Sequence, residues 1–242
     1  MTLFATLFPM ICWFAYNYGV PLFEKRRPSL SVIMSMQRRR WVANAVNRET
    51  PLDAILAGNL MGSVSFLAST SVLLMLAVFT AFGNLTALMD TLSTVGLRAS
   101  YTTADVQVHL FVMLAVFVLS FFAFTLALRQ FNHFCILIGA IDHSGHTSGD
   151  EVIAIAQLNS LAAKNFNNGL RAYYFAVPMV FWFASEWAAI GASVITVAFI
   201  IHREFFSSAH RVAASVAVLA SRREQEHGVG GGQAVRKDTS GL

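Results

Sequence analysis

An all-α, polytopic membrane fold is what this sequence predicts: four to five transmembrane helices with amphipathic helices lying on the surface. Three observations point there. Apolar residues make up 56% of the chain and charged residues only 12%, about half the charged share of an ordinary soluble domain. The apolar residues collect in runs near the roughly 20 residues that a helix needs to cross a bilayer. The charges fall between those runs.

The first apolar run covers residues 3–22, with Trp13, Tyr16 and Tyr18 as aromatic anchors or packing residues and Pro21 near its exit. No basic leader precedes it; Lys25, Arg26 and Arg27 follow it. That order suits an uncleaved first span with its N-terminus outside. The next loop is the most basic in the chain, adding Arg38, Arg39, Arg40 and Arg48, so the positive-inside rule makes it cytoplasmic. Within it Ser29 can cap a helix whose Leu30, Ile33, Met34, Trp41 and Ala45 share a face, as in a helix lying on the inner leaflet.

The second span is expected over about 57–82. Thr50 is its natural N-cap, Pro51 suits the first helical position, and Asp53 meets the free amides of the first turn. Gly83 and Asn84 end it. In the outside segment that follows, Leu85, Leu88, Leu92 and Val95 have interfacial-helix spacing. The third span is expected over 108–128, continuing as one long helix whose last turns project past the membrane. Then Ser148 and Glu151 have capping-box spacing, which predicts a surface helix ending near Asn165.

Residues 172–201 read in two ways. A single span would bury Glu186 near its middle, at about 2.5–3.5 kcal/mol on insertion scales, and would put Arg203, Arg211, Arg222 and Arg223 outside. A hairpin of two short helices, 172–185 and 188–201, turns at Ser185–Glu186–Trp187 and keeps the basic tail inside. The hairpin is preferred, with five crossings and a cytoplasmic C-terminus. Residues 1–227 form a single domain, and the polar, Gly-rich stretch 228–242 reads as a disordered tail.

Four segments share one known pattern: Asn47-Arg48-Glu49-Thr50-Pro51-Leu52-Asp53 leading to Gly58-Asn59, Arg129-Gln130-Phe131-Asn132, Gly169-Leu170-Arg171-Ala172-Tyr173-Tyr174-Phe175-Ala176 with Pro178, and His202-Arg203-Glu204-Phe205. Together they resemble domain of unknown function 599, a family of bacterial and plant membrane proteins. The resemblance covers about 3–208. It implies an all-helical membrane fold and supplies no activity, substrate or cofactor.

The polar residues in and beside the spans are the candidate sites. Gly58 and Gly62 form a GxxxG that Ser65 and Ser69 extend, a small-residue stripe that lets helices approach closely in lipid. It reads first as packing within one subunit, and otherwise as an oligomer interface or pore lining. Asn59 needs a partner in apolar surroundings, more simply an interhelical hydrogen bond than a ligand. Arg129, Asn132 and His133 lie within little more than one turn, either as the basic inside end of a span or as an anion site. Arg171 with Tyr173 and Tyr174 is an interfacial anchor, or part of a lipid pocket with Arg129. Pro178 would bend its helix and free a carbonyl. His109 is expected at the interface. His143 and His146 have metal-ligand spacing but no fixed third partner.

The formal net charge of +4 has its arginines beside apolar runs, which suits lipid headgroups better than nucleic acid. Cys12 and Cys135 are small core residues, with no disulfide framework or CxxC pair. No cofactor motif, nucleophile elbow, phosphate loop or HExxH is present, and intramembrane acids are nearly absent, which disfavours coupled transport. The preferred reading is a structural or accessory protein of the bacterial inner membrane, partnered by lipids and by a homo-oligomer or another membrane complex. An oligomeric channel or permease stands next, and a lipid-acting enzyme last.

Overall fold

The computed structural model describes residues 1–48, 51–94, 96, 101–143 and 147–238, with side chains described as far as 223. Among the described residues every regular element is helical. In chain order they are α1 (Thr2–Glu24), α2 (Leu30–Ala45), α3 (Leu52–Gly83), α4 (Leu85–Thr94), α5 (Thr103–Gly139), α6 (Gly149–Phe181), α7 (Glu186–Phe205) and α8 (Ser208–Asp238). Four stretches are long and apolar enough to cross a membrane: α1, α3, α5 and Glu186–Arg223. The expected Thr50 cap and the Val95 and His146 positions lie outside the described residues, as do residues 239–242; residues 228–238, expected as part of a disordered tail, are the last turns of α8.

Local chemistry sets the helix starts. Ser29 caps α2 by accepting from the Val32 amide at 3.2 Å. A capping box of Thr102 and Asp105 opens α5, so this helix begins at Thr103, several residues before the apolar run that marked it in the sequence. Pro51 stands in the cap position of α3 rather than inside its first turn. Ser148 caps α6 through the Glu151 amide, as its spacing predicts.

α5 is the centre of the bundle, with α3 and α6 against its two sides. α3 shows how lipid-type packing reverses the soluble pattern. It buries Ala57, Val64, Ala68, Ser71 and Val78 while Phe66, Leu73, Leu76 and Phe79 face outward. Small residues at the contact let backbones approach, and large apolar ones are at no disadvantage facing acyl chains. A close approach lies on the other side of α5, where a Cβ on Gly169 of α6 would stand 2.6 Å from the Phe124 ring.

α6 corrects the sequence reading. No break separates a surface helix ending near Asn165 from a later span; one helix of 33 residues runs through both. Polar Asn165, Asn167, Asn168 and Arg171 interrupt its apolar part, so α6 is not among the four membrane-length apolar stretches. Between Trp182 and Ser185 the chain then leaves the helix, and Ser185 caps α7 by accepting from the Ala188 amide at 3.0 Å. α7 folds back on α6, with Tyr174 packed edge-on to Phe199 and hydrogen-bonded by Arg203. Residues 172–201 are therefore two antiparallel helices, not one.

Candidate functional site

α1 and α5 meet near their N-terminal ends, where Thr6 Oγ1 lies 3.3 Å from His109 Nδ1. Farther along, a cavity of about 650 Å³ lies between them, closed behind by α6 and at one end by α2. Its two sides differ. Trp13, Phe14 and Tyr18 of α1 and Leu119, Phe122 and Leu126 of α5 form an apolar flank. Ser31, Ser35 and Arg38 of α2, with Lys164, Asn167, Asn168 and Arg171 of α6, form a polar one.

A hydrogen-bonded network holds the polar flank. Glu204 of α7 accepts from the Ser31 hydroxyl at 2.5 Å and from the Ser31 amide at 3.2 Å. Asn167 donates to the same hydroxyl at 3.3 Å. Arg171 lies 3.9 Å from Glu204, donates to the Asn17 side chain at 3.1 Å, and covers the Tyr16 ring at 5.0 Å. Four helices thus converge on one ion pair, whose side chains are 14% and 13% exposed. Glu24 accepts from the Ser29 hydroxyl at 2.5 Å. Arg38 is different. It is half-buried, and among the described residues it has neither a hydrogen bond nor a carboxylate partner. Burial pushes its guanidinium below the ordinary arginine pKa.

The structure separates the residues singled out in the sequence. Arg171 reaches the cavity, but Arg129, Asn132 and His133 are exposed elsewhere on α5. Arg129 does not line the cavity that Arg171 lines; Arg171 turns to Asn17, Tyr16 and Glu204. Asn59 is exposed on α3, not hydrogen-bonded across the bundle. Gly58, Gly62, Ser65 and Ser69 are exposed too, with nothing within 4 Å of a Cβ built on either glycine; the fold does not use the stripe for packing within the subunit. Tyr173 is no headgroup anchor: its hydroxyl lies 2.8 Å from Ser71 Oγ and 2.9 Å from the Leu67 carbonyl oxygen.

His109 is fully buried instead of interfacial. Its ring lies parallel to Trp182 at 4.1 Å, and Tyr101 stacks on Trp182 at 4.3 Å. Its Nε2 is 2.9 Å from the Met179 carbonyl. His143 Nδ1 is 2.9 Å from the Val46 carbonyl, a contact that ties the loop after α5 to the end of α2.

Asn17, Glu24, Ser31, Arg38, Lys164, Asn167 and Glu204 are site residues that sequence reasoning does not single out. Arg38 was one basic residue among many. Glu204 stood as a lone acid in a basic stretch, which was the available signal. Asp53 lies in the first turn of α3, but the hydrogen bonds its carboxylate accepts come from α2 and the residues after it: from Trp41 Nε1 at 2.5 Å and from Arg48 at 2.8 Å.

No curated protein and no solved structure matches the chain. One family model, described as "Protein of unknown function, DUF599", matches residues 4–209. The match runs from the first residues of α1 to the start of α8 and takes in the whole cavity and its ion pair, so this chain belongs to the DUF599 family.

Proposed function

We propose that this protein is an accessory or structural protein of the bacterial inner membrane that binds lipid, with its N-terminus outside and its C-terminus cytoplasmic. The observation that carries the reading is the cavity between α1, α2, α5 and α6, apolar on one flank and polar on the other. Its volume of about 650 Å³ falls in the range of small-molecule sites, about 300–1,000 Å³. The basic residues after α1 and after α7 support the orientation by the positive-inside rule; it takes α6 as a fifth crossing beside the four long apolar stretches. The test is extraction in mild detergent followed by lipid analysis of the purified chain. Stoichiometric phospholipid that survives washing is expected; a folded protein carrying none overturns the reading.

A second reading is an oligomeric channel or permease. The exposed stripe Gly58, Gly62, Ser65 and Ser69 on α3 favours it, because such a face lets a second helix approach closely. Ion and small-anion flux in liposomes, with subunit number measured on the same preparation, separates the two. Flux from a defined oligomer that Asn59→Leu and Gly62→Leu abolish would support the channel; no flux from an inserted protein would end it.

A further inference from the structure

The cations of the cavity are unevenly satisfied. Arg38, Lys164 and Arg171 line it, against Glu24 as the lining carboxylate. Arg171 is committed to Glu204, Asn17 and the Tyr16 face, and Glu24 to Ser29. Arg38 and Lys164 have no ion-pair partner among the described residues. A half-buried guanidinium without a counter-charge has lost hydration and gained nothing for it. The opposite flank is apolar, and its rim residues Phe14, Phe122 and Leu126 are 44%, 57% and 50% exposed. These exposed apolar side chains lie between α1 and α5, on the face that acyl chains would meet with both helices crossing a bilayer.

We propose that this cavity binds an anionic phospholipid, its phosphate held by Arg38 and Lys164 and one acyl chain lying along Phe14, Phe122 and Leu126. This rests on the lipid-binding reading and specifies its headgroup. A planar guanidinium pairs with two phosphate oxygens at once, and the ammonium of Lys164 adds a point charge. A zwitterionic headgroup fits less well. Its own cation would meet Arg38 and Lys164, while Glu24 is already engaged by Ser29. Free inorganic phosphate shares the headgroup chemistry but leaves the apolar flank unused.

The experiment uses the full chain in detergent micelles. Phosphatidylglycerol and phosphatidylcholine with brominated chains are titrated separately, and quenching of tryptophan fluorescence is read; Trp13 lines the cavity. Phosphatidylglycerol is expected to bind about tenfold more tightly. Arg38→Gln with Lys164→Gln should bring it to the phosphatidylcholine level, and Arg38→Lys should keep part of the preference. Arg129→Gln, on the exposed side of α5, should change nothing. If the double variant does not fold, the single variants are each expected to lose part of the preference. Equal binding of both lipids, or a preference that survives loss of both cations, overturns the headgroup assignment. Quenching by neither lipid overturns the lipid-binding reading itself. Displacement of phosphatidylglycerol by inorganic phosphate at matched concentration would assign the site to a free anion and overturn the proposal.

Discussion

Gly169 of α6 faces the Phe124 ring of α5 so closely that a Cβ there would stand 2.6 Å from the nearest ring carbon. Beside this contact the Ser120 hydroxyl donates to the Gly169 carbonyl at 3.0 Å. Phe124 is fully buried and its ring packs against Phe166 and Tyr173, so a shift of the ring disturbs both contacts. Gly169→Ala should lower stability by about 1–3 kcal/mol, as overpacking does. The measurement is thermal denaturation in detergent. Phe124→Leu in the same chain should recover part of the loss; an alanine variant as stable as the parent would show that the two helices do not approach this closely.

The Arg171–Glu204 pair is only slightly exposed, so it should count for more than a surface pair. Glu204→Gln keeps an acceptor for Ser31 but removes the counter-charge, and should cost about 1–2 kcal/mol. The double variant Arg171→Gln, Glu204→Gln should cost less than the two single changes added together. Strict additivity would mean that the two side chains do not interact.

Asp53 joins α2 to α3 by accepting from Trp41 and Arg48. Asp53→Ala leaves two donors without their acceptor and should lower stability by about 1–3 kcal/mol. Asp53→Asn, which keeps an oxygen acceptor, should lose less. Equal melting temperatures for all three proteins would remove this tie from the account of the fold.

Trp182 is enclosed between His109 and Tyr101. Trp182→Ala should cost about 3–5 kcal/mol through lost burial and the cavity left behind, and Trp182→Phe distinctly less. A mild alanine phenotype would show that the stack is loose.

The orientation is checked with single cysteines at Glu186, which opens α7, and at Ser221, far along α8, after Cys12 and Cys135 are replaced. An impermeant maleimide added to intact cells should label the cysteine at 186 and spare the one at 221. The reverse pattern would invert the topology.

Helix positions were largely legible in the sequence, because capping and solvation act locally. Ser29 and Ser148 cap the helices they were expected to cap, and the turn before α7 falls beside Ser185 and Glu186, where an unpaired carboxylate is costly to bury in lipid. The continuity of α6 was not legible. Its polar Asn165–Asn168 stretch reads as a break when only neighbours along the chain are considered, yet Asn165 is hydrogen-bonded by its amide to Gln130 and Asn167 to Ser31.

By itself, then, the sequence determined that the chain is helical with stretches long and apolar enough to cross a membrane, where several helices begin, and which family it belongs to. Only the tertiary structure decided which face of each helix is buried. In an apolar span both the packed face and the lipid-facing one are hydrophobic, so periodicity does not distinguish them. That is why the stripe on α3 and Asn59 proved to face outward, and His109 inward. The cavity was equally out of reach: Arg38 is one arginine among many along the chain, and it becomes distinctive only where the fold half-buries it across from an apolar flank without a counter-charge.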